Sequence, residues 1–169
     1  QGIMSQTSIA IGDVNADGHV DVAFGYYGSK YSVALGDGAG GFTGNPSLTM
    51  PGTPGQGLDG FLTIAIGDFD DNGDQDLSLG LEPCTFDPDP PNYCPDMDPG
   101  MNAIFVAEGD GTGDFTPATG NPHLLQGGAQ AKVRSMAIGH FNGDVIPDLA
   151  VTTSNDNVQT FLGDDQDFL

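Results

Sequence analysis

Three times along this chain, a short apolar stretch ending in glycine runs into a nine-residue loop rich in oxygen-bearing side chains. The first loop is Asp13-Val-Asn15-Ala-Asp17-Gly18-His19-Val-Asp21, preceded by Ile9-Ala-Ile11-Gly12. The second is Asp68-Phe-Asp70-Asp-Asn72-Gly73-Asp74-Gln-Asp76, preceded by Ile64-Ala-Ile66-Gly67. The third is His140-Phe-Asn142-Gly-Asp144-Val145-Ile146-Pro-Asp148, preceded by Met136-Ala-Ile138-Gly139. Repetition of this kind constrains a fold more than any single motif does, because one local unit must recur and must bury its apolar face against its neighbours.

The rest of the unit recurs too. A second apolar stretch follows each loop: Val22-Ala-Phe24, Leu77-Ser-Leu79 and Leu149-Ala-Val151. A third then ends in a Gly-acid turn: Tyr31 to Asp37, Ile104 to Asp110 and Val158 to Asp164. From the first loop residue to that glycine is 23 residues in units one and three (13 to 36, 140 to 163) and 41 in unit two (68 to 109). The excess of 18 coincides with residues 82–100, where six prolines exclude a helix or a central strand and indicate a surface excursion. A fourth strand is expected at Ser47–Met50 and at His123–Gln126, each after an Asn-Pro turn. Each unit is thus a four-stranded antiparallel meander, and the chain is all-β, with three propeller-type blades. The expected divisions are 1–55, 56–127 and 128–169, the third blade lacking its last strand.

Side-chain oxygens at loop positions 1, 3, 5 and 9 can converge on one point, and a hard cation such as Ca²⁺ takes six to eight oxygen ligands. Glycine at position 6 permits a left-handed turn. The first two loops meet every requirement. In the third, His140 replaces the first acid and Val145 replaces the glycine, which predicts a strained turn and a cation site that is weak or absent. Asn142, Asp144 and Asp148 remain as ligands there.

The unit resembles the FG-GAP (VCBS) repeat, the blade of integrin α-subunit propellers and of related extracellular propellers that include some lectins. The resemblance rests on Ile11-Gly12-Asp13 through Asp21, Ile66-Gly67-Asp68 through Asp76 and Ile138-Gly139-His140 through Leu149, with the turns Gly36–Phe42 and Gly109–Phe115. It implies Ca²⁺ between strands one and two, with the position 7 carbonyl as a further ligand. Site one would be Asp13, Asn15, Asp17, His19 (carbonyl) and Asp21. Site two would be Asp68, Asp70, Asn72, Asp74 (carbonyl) and Asp76. The weak third site would be Asn142, Asp144, Ile146 (carbonyl) and Asp148.

Composition narrows the partners. Three Lys and Arg against 24 Asp and Glu leave a net charge of −21. Such a chain repels itself unless cations relieve it. It cannot neutralise nucleic-acid phosphates or seek anionic membranes. No apolar run approaches the roughly 20 residues of a membrane span. The only cysteines, Cys84 and Cys94, lie in the proline-rich excursion and suggest a disulfide in an oxidising compartment, hence a secreted or cell-surface setting.

No nucleophile elbow, metalloprotease motif or phosphate loop is present, which argues against an enzyme. Three blades do not close a ring, so further blades or copies of the chain are the expected partners, with a protein or glycan ligand as a further possibility. The function expected is an extracellular calcium-binding structural or adhesion module. The alternatives are a lectin-like carbohydrate binder and a non-catalytic appendage of a secreted enzyme. The absence of Trp and the presence of only four Tyr disfavour the lectin.

Overall fold

The computed structural model describes residues 6–26, 30–44, 48–49, 60–82, 103–126 and 131–164. Cys84, Cys94 and most of the proline-rich excursion lie outside the described residues. Among those described the regular structure is all β-strand, folded into three antiparallel sheets, none closed into a barrel.

Blade one comprises β1 (Gln6–Gly12), β2 (Asp21–Tyr26), β3 (Lys30–Gly36), β4 (Phe42–Gly44) and β5 (Leu48–Thr49). Blade two comprises β6 (Gly60–Gly67), β7 (Asp76–Glu82), β8 (Ala103–Gly109), β9 (Phe115–Pro117) and β10 (His123–Leu124). Blade three comprises β11 (Val133–Gly139), β12 (Asp148–Thr153) and β13 (Val158–Phe161). The first three strands of each blade pair in sequence order. Strand one carries a register shift at the same place in all three, between Gln6 and Ser8, Phe61 and Thr63, and Val133 and Ser135. Such a bulge strengthens the local twist, and its threefold recurrence gives the blades a common curvature.

The expected single fourth strand is instead broken in two. In blade one, β4 pairs with the end of β3 and β5 with its start; in blade two, β9 and β10 do the same on β8. Phe42 and Phe115, which sequence reading assigns to the close of a turn, therefore begin strands. In blade two the gap is filled by one side chain together with the Ala118 N–H, which donates to Val106 O at 3.0 Å. Asn121 Oδ1 accepts the Val106 N–H at 2.8 Å, while Asn121 Nδ2 donates to Val106 O at 2.6 Å and to Ala118 O at 3.0 Å. A carboxamide thereby offers β8 the donor and acceptor that a strand residue would have offered, so no ladder group of Val106 goes unsatisfied.

The core lies between blades. One cluster joins Val14, Ala23, Tyr31 and Val33 of blade one to Ile64, Ile66, Leu77, Leu79 and Phe105 of blade two. The other joins Phe69, Ile104 and Val106 of blade two to Val133, Leu149, Val151 and Phe161 of blade three. Blade two is covered on both faces. That is why Leu77, Ser78 and Leu79, and Ala103 through Ala107, are buried without interruption. In blade one, β2 instead alternates between buried and half-buried residues, the pattern of a strand with one covered face.

Candidate metal centres

Each acidic loop joins strand one to strand two of its blade. Pairing sets the residue at position 9 opposite the glycine that precedes position 1: Gly12 with Asp21, Gly67 with Asp76 and Gly139 with Asp148. The hairpin therefore returns the loop to its own start, and the intervening side chains turn toward a common centre.

Loops one and two share one hydrogen-bond scheme. Asp13 accepts the N–H groups of Asp17 (3.1 Å) and Gly18 (2.9 Å), as Asp68 accepts those of Asn72 (3.1 Å) and Gly73 (3.0 Å). At position 3, Asn15 and Asp70 each accept the N–H of position 5 at 3.2 Å. At position 5, Asp17 and Asn72 accept the N–H of His19 (2.8 Å) and Asp74 (2.7 Å). Asn and Asp exchange places between positions 3 and 5, and in both loops the Asn amide bonds the Asp carboxylate at 2.9 Å. Two residues per loop are left-handed. The expected glycine at position 6 is one (Gly18 φ 85°, Gly73 φ 95°), and position 4 is the other (Ala16 φ 54°, Asp71 φ 56°). The second was not legible in the sequence, because Ala gives no signal for that conformation.

The position 9 carboxylate has a further task. Asp21 is buried, with Oδ2 accepting the Val14 N–H at 2.9 Å and Oδ1 the Gly36 N–H at 2.8 Å. Asp76 holds Phe69 and Gly109 in the same way, both at 2.9 Å. In blade three Asp148 bonds the Phe141 N–H, the Asn142 N–H at 3.2 Å and the Gly163 N–H at 3.1 Å. One carboxylate thus clasps the loop to the end of strand three. The glycine it reaches must be a glycine. A methyl at Gly36 would lie 2.2 Å from Val20 O, at Gly109 2.2 Å from Gln75 O, and at Gly163 2.5 Å from Pro147 O. The 23-residue spacing shared by units one and three is the one sequence trace of this contact, and sequence reading assigns Asp21, Asp76 and Asp148 to metal alone.

The position 7 side chains point away from the loop and onto the Gly-acid turn. A methyl at Gly38 would lie 2.5 Å from His19 Nδ1, and one at Gly111 2.4 Å from Asp74 Oδ1. The turn acids are held by their own backbone. Hydrogen bonds from the Ala39 and Gly41 amides lower the pKa of Asp37, and the Thr112 hydroxyl and amide lower that of Asp110.

Loop two gathers the densest negative charge. Asp68, Asp70 and Asp76 each offer a carboxylate oxygen within 4.8 Å of the others. Burial pushes Asp76 up to about 7, against hydrogen bonds from Gly109 and Phe69, and the charges of Asp70 and Asp68 add to the rise. Asp70 is raised as well, first by burial. Carboxylates pressed together in this way are short of positive charge, and a cation at their centre would favour the ionised forms. The donors are all hard oxygens, which fits Ca²⁺. In loop one, hydrogen bonding to Asn15 and then to the His19 amide instead lowers the pKa of Asp17.

Loop three takes another path. Its left-handed residue is Gly143 (φ 89°) at position 4, and Val145 is not left-handed, so the strain expected there does not arise. Position 4 is left-handed in all three loops, and loop three dispenses with the second left-handed residue, which frees position 6 for a branched side chain. Asn142 accepts the Asp144 N–H at 3.0 Å, and Asp144 accepts the Ile146 N–H at 3.1 Å. His140 Nδ1 lies 3.0 Å from Ile146 O. A carbonyl can only accept, so the ring donates its Nδ1 proton to it. That oxygen is the carbonyl expected as a position 7 ligand, and here an imidazole engages it.

Residues 13–78, from the first acid of loop one to β7, match the family model of the FG-GAP-like repeat. Over these residues the chain is similar to an FG-GAP-like repeat. The matched FG-GAP-like segment takes in loops one and two, whose hydrogen bonding is shared, and stops short of loop three, whose backbone differs. No curated protein matches the sequence.

Proposed function

We propose that this chain is an extracellular, calcium-stabilised structural module of FG-GAP-like blades that serves adhesion or assembly rather than catalysis. The observation that carries the reading is the convergence of Asp68, Asp70 and Asp76 within one loop of a matched repeat. Asp13, Asn15 and Asp17 repeat the hydrogen-bond scheme in loop one, and Asp21 the clasp to strand three. A bound Ca²⁺ supplies positive charge to carboxylates that otherwise repel. The residues themselves perform the mechanical part. Position 9 fixes the loop to strand three, positions 1 to 5 present their oxygens, and the glycine at position 6 turns the chain back. With the loops rigid, the apolar faces of the blades are held ready for packing. A net charge of −21 fits a medium rich in divalent cations, where extracellular modules bind Ca²⁺ at roughly 10⁻⁴–10⁻³ M.

Calorimetric titration with calcium after chelation tests this. Two ions per chain are expected, with Asp68→Asn removing one and Asp13→Asn the other, and a melting temperature that rises with calcium. No calcium heat and no change in melting would overturn the proposal.

A further inference from the structure

Blade two has a neighbour on each side, so its residues show what each face of a blade meets when covered. Toward blade one, Ile66 and Phe115 are each 8% exposed; the equivalent Ile11 and Phe42 of blade one are 68% and 54% exposed. Toward blade three, Phe69 is 1% and Ile104 0% exposed, whereas their equivalents Phe141 and Val158 are 51% and 68%. The equivalences follow from pairing. Phe42 and Phe115 lie opposite Gly36 and Gly109, and Ile104 and Val158 lie opposite Gly80 and Thr152. Ile66, Phe115, Phe69 and Ile104 are covered at the internal joints and their counterparts are bare at the two outer faces, while Ile138, at the joint of blades two and three, is 40% exposed; exposed clusters of this kind mark interaction surfaces.

Each internal joint has a knob and a seat. A methyl at Gly12 would lie 2.7 Å from Ile66 Cγ2. One at Gly67 would lie 3.3 Å from Ile138 Cδ1 and 3.1 Å from the Phe69 ring. The isoleucine of each blade therefore rests on the bare glycine of the blade before it. Gly139 has the same form, with the Phe141 ring 2.9 Å from such a methyl as Phe69 is beside Gly67, and among the described residues Ile11 has no glycine beneath it. One outer face presents knobs and the other a seat. Neither matches itself, so the fitting contact is heterologous.

We propose that the face of blade one carrying Ile11 and Phe42 binds the face of blade three carrying Gly139, Phe141 and Val158 in a second copy of this chain, with Ile11 seated on Gly139. The contact continues the two internal joints with a third of the same kind. It deepens the structural reading above and rests on it.

Sedimentation velocity of the full chain in calcium, over a range of concentrations, tests the contact. The wild-type chain is expected to form multimers that grow with concentration. Ile11→Asp and Phe141→Ser should each be monomeric, and an equimolar mixture of the two should form one-to-one dimers, since each retains the face the other has lost. Phe42→Ser supplies a second knob-face variant should Ile11→Asp fail to melt cooperatively. A wild-type chain that stays monomeric, or a mixture of folded variants that does not pair, overturns the contact. The rise in melting temperature with calcium is read separately on the monomeric variants. Its absence overturns the calcium reading, whereas a monomeric wild-type chain that calcium still stabilises overturns the contact alone.

Discussion

Asp76 Oδ1 accepts the Gly109 N–H at 2.9 Å across 33 residues of chain, the same bond that Asp21 makes to Gly36 across 15. The proline-rich excursion between β7 and β8 lengthens the connection without altering the clasp. Loop length adds only slowly to the entropy of closure, so an insertion is tolerated where the two ends are held by their own sheet.

The clasp is a structural bond as much as a ligand position. Asp148→Ala would leave the N–H groups of Phe141 and Gly163 without their acceptor. Each buried unsatisfied group costs roughly 1–3 kcal/mol. Asp148→Ala should therefore lower the urea midpoint strongly in excess chelator. An effect seen only when calcium is present would count against a structural role.

Gly109 admits no side chain because Gln75 O would lie 2.2 Å from a methyl there. Backbone would have to move, and overpacking of this kind costs about 1–3 kcal/mol. Gly109→Ala should lower thermal stability by that amount, while Gly44→Ala, with nothing within 4 Å, should change it little. Equal effects from the two would refute the steric account.

In loop three an imidazole holds the carbonyl that the other loops would leave for a cation. His140→Ala removes one hydrogen bond, worth about 0.5–1.5 kcal/mol. Its cost should be the same with calcium as with chelator. Asp68→Ala should differ sharply between the two conditions, and parallel melting curves separate the cases.

His123 packs edge-on against Phe161 of blade three, with ring centroids 6.4 Å apart, and burial lowers its pKa. The folded protein therefore binds a proton there less readily than the unfolded chain does. Its contribution to stability is intact above the unfolded value near 6.5 and is lost as pH falls through and below that value. Between pH 7 and 5 the wild-type chain should lose more stability than His123→Phe does, as read from urea midpoints. Equal losses would show that the imidazole has no part.

The repeat, its strands and the ligand-bearing positions of loops one and two were legible in the sequence. Strand periodicity and Asx-Gly turns are local properties, and local properties are written in local residues. What the sequence did not show were contacts between distant segments. The double use of Asp21, Asp76 and Asp148 depends on strand three arriving beside the loop. The broken fourth strand depends on Asn121 lying against Val106. Val145 escapes strain because loop three turns with the left-handed residue at position 4, Gly143, and needs none at position 6. The contrast between buried Ile66 and exposed Ile11 exists only once the blades are stacked, since two identical Ile-Gly steps differ in nothing but their neighbours. The sequence by itself determined the unit and its oxygen donors. The tertiary structure alone decided which donors serve the fold and which apolar faces remain open, because those depend on packing between units and not on any residue within one.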